Sequence, residues 1–245
     1  MTPQLIRGTQ RHHWRNEWLE SWQSFPATGN FDLSANAHGV LLVHNDDRVD
    51  AGEGLDMHHH HDAEIVTWVL EGTLHHRDSR GHRGTLGPGV IQRMSAGRGI
   101  THAEGNASSR RDGGPLRVVQ MWIAPDRPGG EPGYAEHDFT EELSGGTPVV
   151  VVSGLARDAE TAAVPLESSH AALHVARLRN GQEAQLPGSP FGHLYVASGE
   201  VVVDGVGPLE QGDAVRLTDS DGVRLAGGAE AEILYWEMHA SFELR

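Results

Sequence analysis

Short runs of β-favouring residues recur along the whole chain, each closed by Gly, Pro, Asp or Asn. In the first half they are Val40–His44, Ile65–Leu70, Thr73–His76, Val90–Met94 and Leu116–Ala124. In the second half they are Val149–Val152, Leu173–Leu178, His193–Ala197, Glu200–Val203, Ala214–Leu217 and Glu232–Glu237. Short apolar runs between turn residues cannot build long helices and point to an all-β sandwich or barrel. The 31 glycines and 12 prolines are spread widely, as turn punctuation should be. Helical periodicity is confined to Asn16–Trp22, expected as one short helix, and to a turn at Glu141–Leu143.

The pattern occurs twice. VLEGTLHHRDSRGHRGTLGPGVI in the first half parallels YVASGEVVVDGVGPLEQGDAV in the second. Both run strand, Gly, strand, turn, then a Gly before another strand. The Pro/Gly-rich stretch DRPGGEPG, residues 126–133, is the best boundary between them, with a second loop at Ser144–Thr147. The expected organisation is two β-barrel domains of one kind, residues 1–130 and 145–245, joined by a linker at 131–144.

Composition narrows the chemistry. The formal charge is −15, all 19 basic residues apart from His are arginine, and there is no cysteine. An acidic chain is a poor partner for nucleic acid or an anionic membrane, since both are held by clustered positive charge. Without cysteine there are no disulfides, thiolate zinc sites, iron–sulfur clusters or cysteine nucleophiles. No run approaches the roughly 18 apolar residues of a membrane span. MTPQLIRGTQRHHWRNEW has no apolar secretion core, so the expected location is the cytoplasm. What remains abundant is imidazole, with 17 histidines.

Those histidines concentrate in GEGLDMHHHHDAEIVTWVLEG, residues 52–72. Alternate side chains of a strand share a face. His58 and His60 therefore point one way, His59 and His61 the other, and either pair can place two imidazoles on one metal ion. A second segment, GRGITHAEGN at 97–106, puts His102 and Glu104 on one face in the same way. Three neutral imidazoles and a carboxylate suit Fe(II), Mn, Ni, Co, Cu or Zn, and ligand type alone does not choose among them. His75, His76 and His82 are expected on a solvent face, together with the outward members of the tetrahistidine run. In the second half, His170, His174 and His193 form neither an H-x-H pair nor an H-x-E pair, so that domain is expected to carry no metal.

Residues 52–106 resemble the two motifs of the cupin superfamily. The first maps to Gly52, His58, His60, Glu64 and Gly72, and its spacing selects His58/His60 over His59/His61. The second maps to Gly89, Gly97, His102 and Asn106, with Ser95 at the usual Pro position and two extra residues before His102. WLESWQSF, LVHNDDRV, EIVTWVLEGTLHHRDS and MSAGRGITHAE together resemble the pirin family of bicupins over about residues 14–126; beyond 145 the likeness is general. That family usually has Pro between the first two ligands and a basic residue after the second, where this chain has His59 and His61.

The resemblance implies two cupin (double-stranded β-helix, jelly-roll) barrels in tandem. It implies one divalent metal, usually Fe(II), held by His58, His60, His102 and Glu104. It further implies a flavonol dioxygenase that opens quercetin-like substrates with O2 and releases carbon monoxide, with Glu104 also the base that takes the hydroxyl proton. The alternative is a metal-dependent regulatory or redox-sensing protein that works through a protein partner without turnover. A flat substrate needs an apolar pocket, for which Trp68, Met94, Ile100, Met121 and Trp122 are the candidates beside ordinary core roles. Gln120 is the candidate to steady a ligand from behind.

Overall fold

The computed structural model describes residues 2–25, 36–228 and 230–242. It is nearly all β, arranged as four antiparallel sheets that pair into two barrels.

The first barrel joins a seven-stranded and a four-stranded sheet. The larger runs, in spatial order, β12 (Gly133–Asp138), β9 (Val90–Ser95), β6 (Glu64–Glu71), β11 (Leu116–Ile123), β4 (Leu41–Val49), β3 (Leu19–Gln23) and β2 (His12–Arg15). The smaller runs β5 (Gly54–His60), β10 (Ile100–Asn106), β7 (Leu74–Asp78) and β8 (Arg83–Leu86).

The second barrel repeats the plan. A six-stranded sheet holds β1 (Thr2–Ile6), β19 (Ala214–Ser220), β16 (Ser189–Ser198), β21 (Ala231–Met238), β14 (Ala171–Leu178) and β13 (Val149–Ser153). The four-stranded sheet holds β15 (Glu183–Leu186), β20 (Val223–Gly227), β17 (Glu200–Val203) and β18 (Gly207–Glu210).

The internal echo has a local cause. Gly72 and Gly199 both end a central strand at positive φ, 78° and 69°. A Cβ would lie 2.3 Å from the Pro115 carbonyl oxygen at the first and 2.0 Å from that of Glu230 at the second. Only glycine fits such a position, so each barrel turns from its large sheet into its small one at a glycine.

Three sequence expectations change. Asn16–Trp22 is not a helix. The Asn16 side chain accepts hydrogen bonds from the Trp18 and Leu19 amides at 2.9 and 2.7 Å, which closes a turn between β2 and β3. Trp22 and Leu19 are then drawn into a strand paired with β4. The first strand, β1, pairs with β19 and so extends the second barrel's sheet, although its residues open the chain. Within 131–144, expected as a linker, β12 pairs with β9 and continues the first barrel.

The two large sheets pack face to face through one apolar cluster that includes Val66, Trp68, Val119 and Met121 on one side and Leu173, Leu234 and Trp236 on the other. Polar side chains cross this interface in closed pairs. Arg117 binds both carboxylate oxygens of Asp46, at 3.0 and 2.6 Å, and Tyr195 donates to the same carboxylate. Trp68 donates to Glu232, which Arg177 also holds. A pair of fully buried imidazoles, His44 and His193, lies there with ring centroids 4.8 Å apart and no hydrogen-bond partner at any ring nitrogen.

Candidate metal centre

The centre is built on the small sheet of the first barrel. β10 pairs antiparallel with β5, which sets His102 opposite His58 and Ile100 opposite His60; an irregularity follows between His102 and Glu104. His58 and His60 are partly buried and face inward, whereas His59 and His61 are exposed. The ring centroids of His58, His60 and His102 lie 4.4–5.0 Å apart. Their ligand nitrogens fall within 4.8 Å of one another. His58 Nδ1 sits 2.8 Å from the Asp56 carbonyl oxygen. Donating there leaves Nε2 as the lone-pair nitrogen, a common way to orient a metal-binding imidazole.

Glu104 faces the same interior but joins the group from one side. Its Oε1 is 3.5 Å from His76 Nδ1, and its Oε2 accepts from Gln120 Nε2 at 2.7 Å. His76, His102 and Glu104 form a second candidate group, and among the described residues no group contains all four expected ligands.

Burial pushes the His60 and His102 imidazoles down to about 4, the charge of neighbouring imidazoles adding to the effect at His60. Both are therefore neutral at pH 7 and free to donate lone pairs. Burial pushes Glu104 up, but hydrogen bonds from His76 and Gln120 and the charge of His102 outweigh it and hold the carboxyl below its ordinary value. The donor set fits a divalent ion on its own chemistry. Both nitrogens of His102 and Nε2 of His76 are buried without hydrogen-bond partners, which a folded protein rarely tolerates.

Other candidates divide. Met94, Ile100 and Trp122 form an apolar rim with Ala63, Ile65 and Ala96, and the Trp122 ring stands 4.9 Å from His60. Trp68 and Met121 do not reach this chamber. They point the other way on their strands, into the inter-barrel cluster, where Met121 Sδ lies 3.1 Å from the Trp236 indole nitrogen. Glu64, the acid of the first motif, also turns away, and its Oε2 accepts from Ser95 and the Glu167 amide.

His76 was expected in solvent and is instead 3% exposed. The signal lay in its neighbour, because Leu74 fixes the inward phase of β7 and His76 shares it. His82 is half-covered, stacked on Tyr134 with centroids 5.1 Å apart and bound to Asp78 at 2.8 Å. In the second barrel His170 is exposed and His174 is bound to Glu237 at 2.9 Å, while that barrel's interior is filled by aliphatic side chains and Tyr235.

Sequence reasoning also missed Asp47. It lines a cavity of about 40 Å³ with Glu104 and Gln120, and its Oδ1 is shut away from solvent without a partner. Burial pushes its carboxyl up to about 7. The folded state therefore keeps a proton that the unfolded state has lost, and Asp47 subtracts stability as pH rises from about 4 to about 7. Asp47→Asn should remove that decline. In metal-free protein its melting temperature should exceed that of the parent at pH 8 and match it near pH 4.

Two jelly-roll barrels, one carrying an imidazole-and-carboxylate cluster at its centre, define a bicupin. The comparisons place it further. Residues 6–123 match the family model described as Pirin, and residues 151–238 match that of the quercetinase C-terminal cupin domain. A Mycobacterium tuberculosis protein provisionally named quercetin 2,3-dioxygenase is 44% identical over 98% of this chain and 96% of its own. The Escherichia coli K12 protein named quercetin 2,3-dioxygenase is 31% identical over 96% of this chain and 97% of its own. The crystal structure of the E. coli bacterial pirin YhhW in complex with nickel(II) superposes with a TM-score of 0.86 at 28% identity, covering 98% of this chain and all of that one. The chain belongs to the pirin family.

Proposed function

We propose that the protein is a metal-dependent flavonol 2,3-dioxygenase of the quercetinase type, acting in the cytoplasm. One divalent ion would be held by His58, His60, His102 and Glu104, with Fe(II) the leading candidate and Ni, Co, Mn, Cu or Zn the alternatives. The observation that carries this reading is the trio of converging imidazoles beside a buried carboxylate, under an apolar rim that includes Trp122. The names and the nickel complex of its relatives agree with it.

The metal would supply Lewis acidity, lowering the pKa of a hydroxyl set beside a carbonyl. The chain's own residues do the rest. Glu104 takes the hydroxyl proton and later returns it, while Gln120 keeps one carboxylate oxygen occupied and so fixes which oxygen receives the proton. Ile65, Met94, Ile100 and Trp122 offer flat apolar contact and exclude water from the reacting face. The first barrel, β2 to β12, would then form the catalytic domain, and the second barrel, which includes β1, a supporting one.

The test uses quercetin under argon with metal-restored protein. Its absorbance should persist until oxygen is admitted, then fall with release of one carbon monoxide per quercetin. Oxygen-independent loss, or none with any of the six metals, overturns the assignment.

A further inference from the structure

The interior of the first barrel is layered. An apolar floor holds Val49, Val69, Leu74, Leu86, Leu116 and Val118; the apolar rim holds Ile65, Met94, Ile100 and Trp122. They form two separate clusters because a polar row runs between them across the large sheet. Asn45 on β4 is in register with Gln120 on β11, Gln120 with Thr67 on β6, and Thr67 with Gln92 on β9. Directly opposed residues on antiparallel strands share a face. Gln120 shows which face this is, since it binds Glu104 across the barrel.

The row is short of partners. Asn45 Oδ1, Thr67 Oγ1 and both amide atoms of Gln92 are buried with none, although Thr67 and Gln92 are each 1% exposed. Four such atoms in one row face a candidate metal centre, and buried polar groups of this kind are usually met by a protein, water or ligand partner. The four side chains are amides and a hydroxyl, so they match neutral O–H and C=O groups rather than a carboxylate or an ammonium.

We propose that Asn45, Thr67 and Gln92, in one register row with the Gln120 that binds Glu104, form a subsite for neutral hydroxyl groups opposite the metal centre. These hydroxyls come from a polyhydroxylated aromatic bound at the metal, or from waters held in their place. As a substrate subsite it rests on the flavonol reading; as a binding row for hydroxyls it does not.

The test compares metal-loaded parent, Thr67→Val and Gln92→Leu. Anaerobic quenching of tryptophan fluorescence gives the affinity of each for quercetin and for 3-hydroxyflavone, which keeps the hydroxyketone and lacks the other hydroxyls. Melting temperatures are taken without ligand. If the ligand supplies the hydroxyls, the parent prefers quercetin, and each variant shrinks that preference about tenfold, the worth of one well-made hydrogen bond. If water supplies them, the preference stays and the isosteric Thr67→Val melts about 2–4 °C lower. An unchanged preference with an unchanged or raised melting temperature overturns the subsite, because an unpartnered buried hydroxyl is improved by a methyl. If neither probe binds the parent, the flavonol reading fails, and the melting temperatures still decide whether the row holds hydroxyl groups.

Discussion

Replacing His102 with alanine should strip any bound divalent metal from the protein, whereas replacing His59 should not. His102 is 1% exposed, its ring centroid lies 4.4 Å from that of His58 and 5.0 Å from that of His60, and it belongs to both candidate metal groups. Its loss leaves at most two imidazoles of the first group and a His–Glu pair of the second. Changes to groups that merely steady a ligand cost about 10–100-fold in metal affinity, so loss of the shared ligand should cost at least about 100-fold. His59 points outward from the same strand, and its exposed ring lies beside Gly99 and His61, the two imidazole centroids 6.0 Å apart. Metal content after dialysis against chelator, by elemental analysis, separates the two. His102→Ala should still fold, since the barrel's apolar floor does not include it. Metal lost from His59→Ala would mean that the inward pair is 59/61.

The second large effect lies at the inter-barrel interface. His44 and His193 are fully buried, and burial pushes His44 down to about 3 and His193 well below its ordinary value. Both stay neutral in the fold while the unfolded chain protonates near pH 6.5, so the stability they leave intact at neutral pH drains away as pH falls below 6.5. At pH 5 each histidine is about 1.5 units below that point, or about 2 kcal/mol, giving about 4 kcal/mol for the pair. Asp47 acts in the opposite direction over the same range, so the pair is isolated by comparison with a variant. In urea unfolding of metal-free protein, the parent should lose about 4 kcal/mol more between pH 7 and pH 5 than His44→Leu/His193→Leu. Equal losses would mean that these imidazoles take up protons in the fold.

How much of this was legible in the sequence depends on what local pattern encodes. Strand alternation pairs His58 with His60 and His102 with Glu104, but the choice of His58/His60 over His59/His61 rests on the motif spacing to Glu64 and Gly72; the glycines after β6 and β16 marked both barrels. Alternation fails on the central strands because both of their faces are buried. Six of the eight residues of β6 are shut from solvent, so Trp68 could not be assigned to the barrel interior or to the inter-barrel face without the second sheet in view. Met121 on β11 failed for the same reason. The polar row Asn45–Gln120–Thr67–Gln92 was hidden more deeply, since it is continuous only through register across four strands. The pairing of β1 with β19 joins residues more than 200 positions apart, which no local signal carries. His76 was within reach, had the phase of Leu74 been extended by one step.

The inward cluster of His58, His60, His102 and Glu104 is claimed to hold the one ion on which turnover depends. The most direct test titrates Fe(II) into metal-free protein and records, at each point, bound metal per chain and the rate of quercetin loss in air. The rate should rise linearly and saturate at one ion per chain, with no rate in metal-free protein and none in His102→Ala at the same concentrations. Full turnover without metal, or saturation at one bound ion with no quercetin loss, would contradict the account.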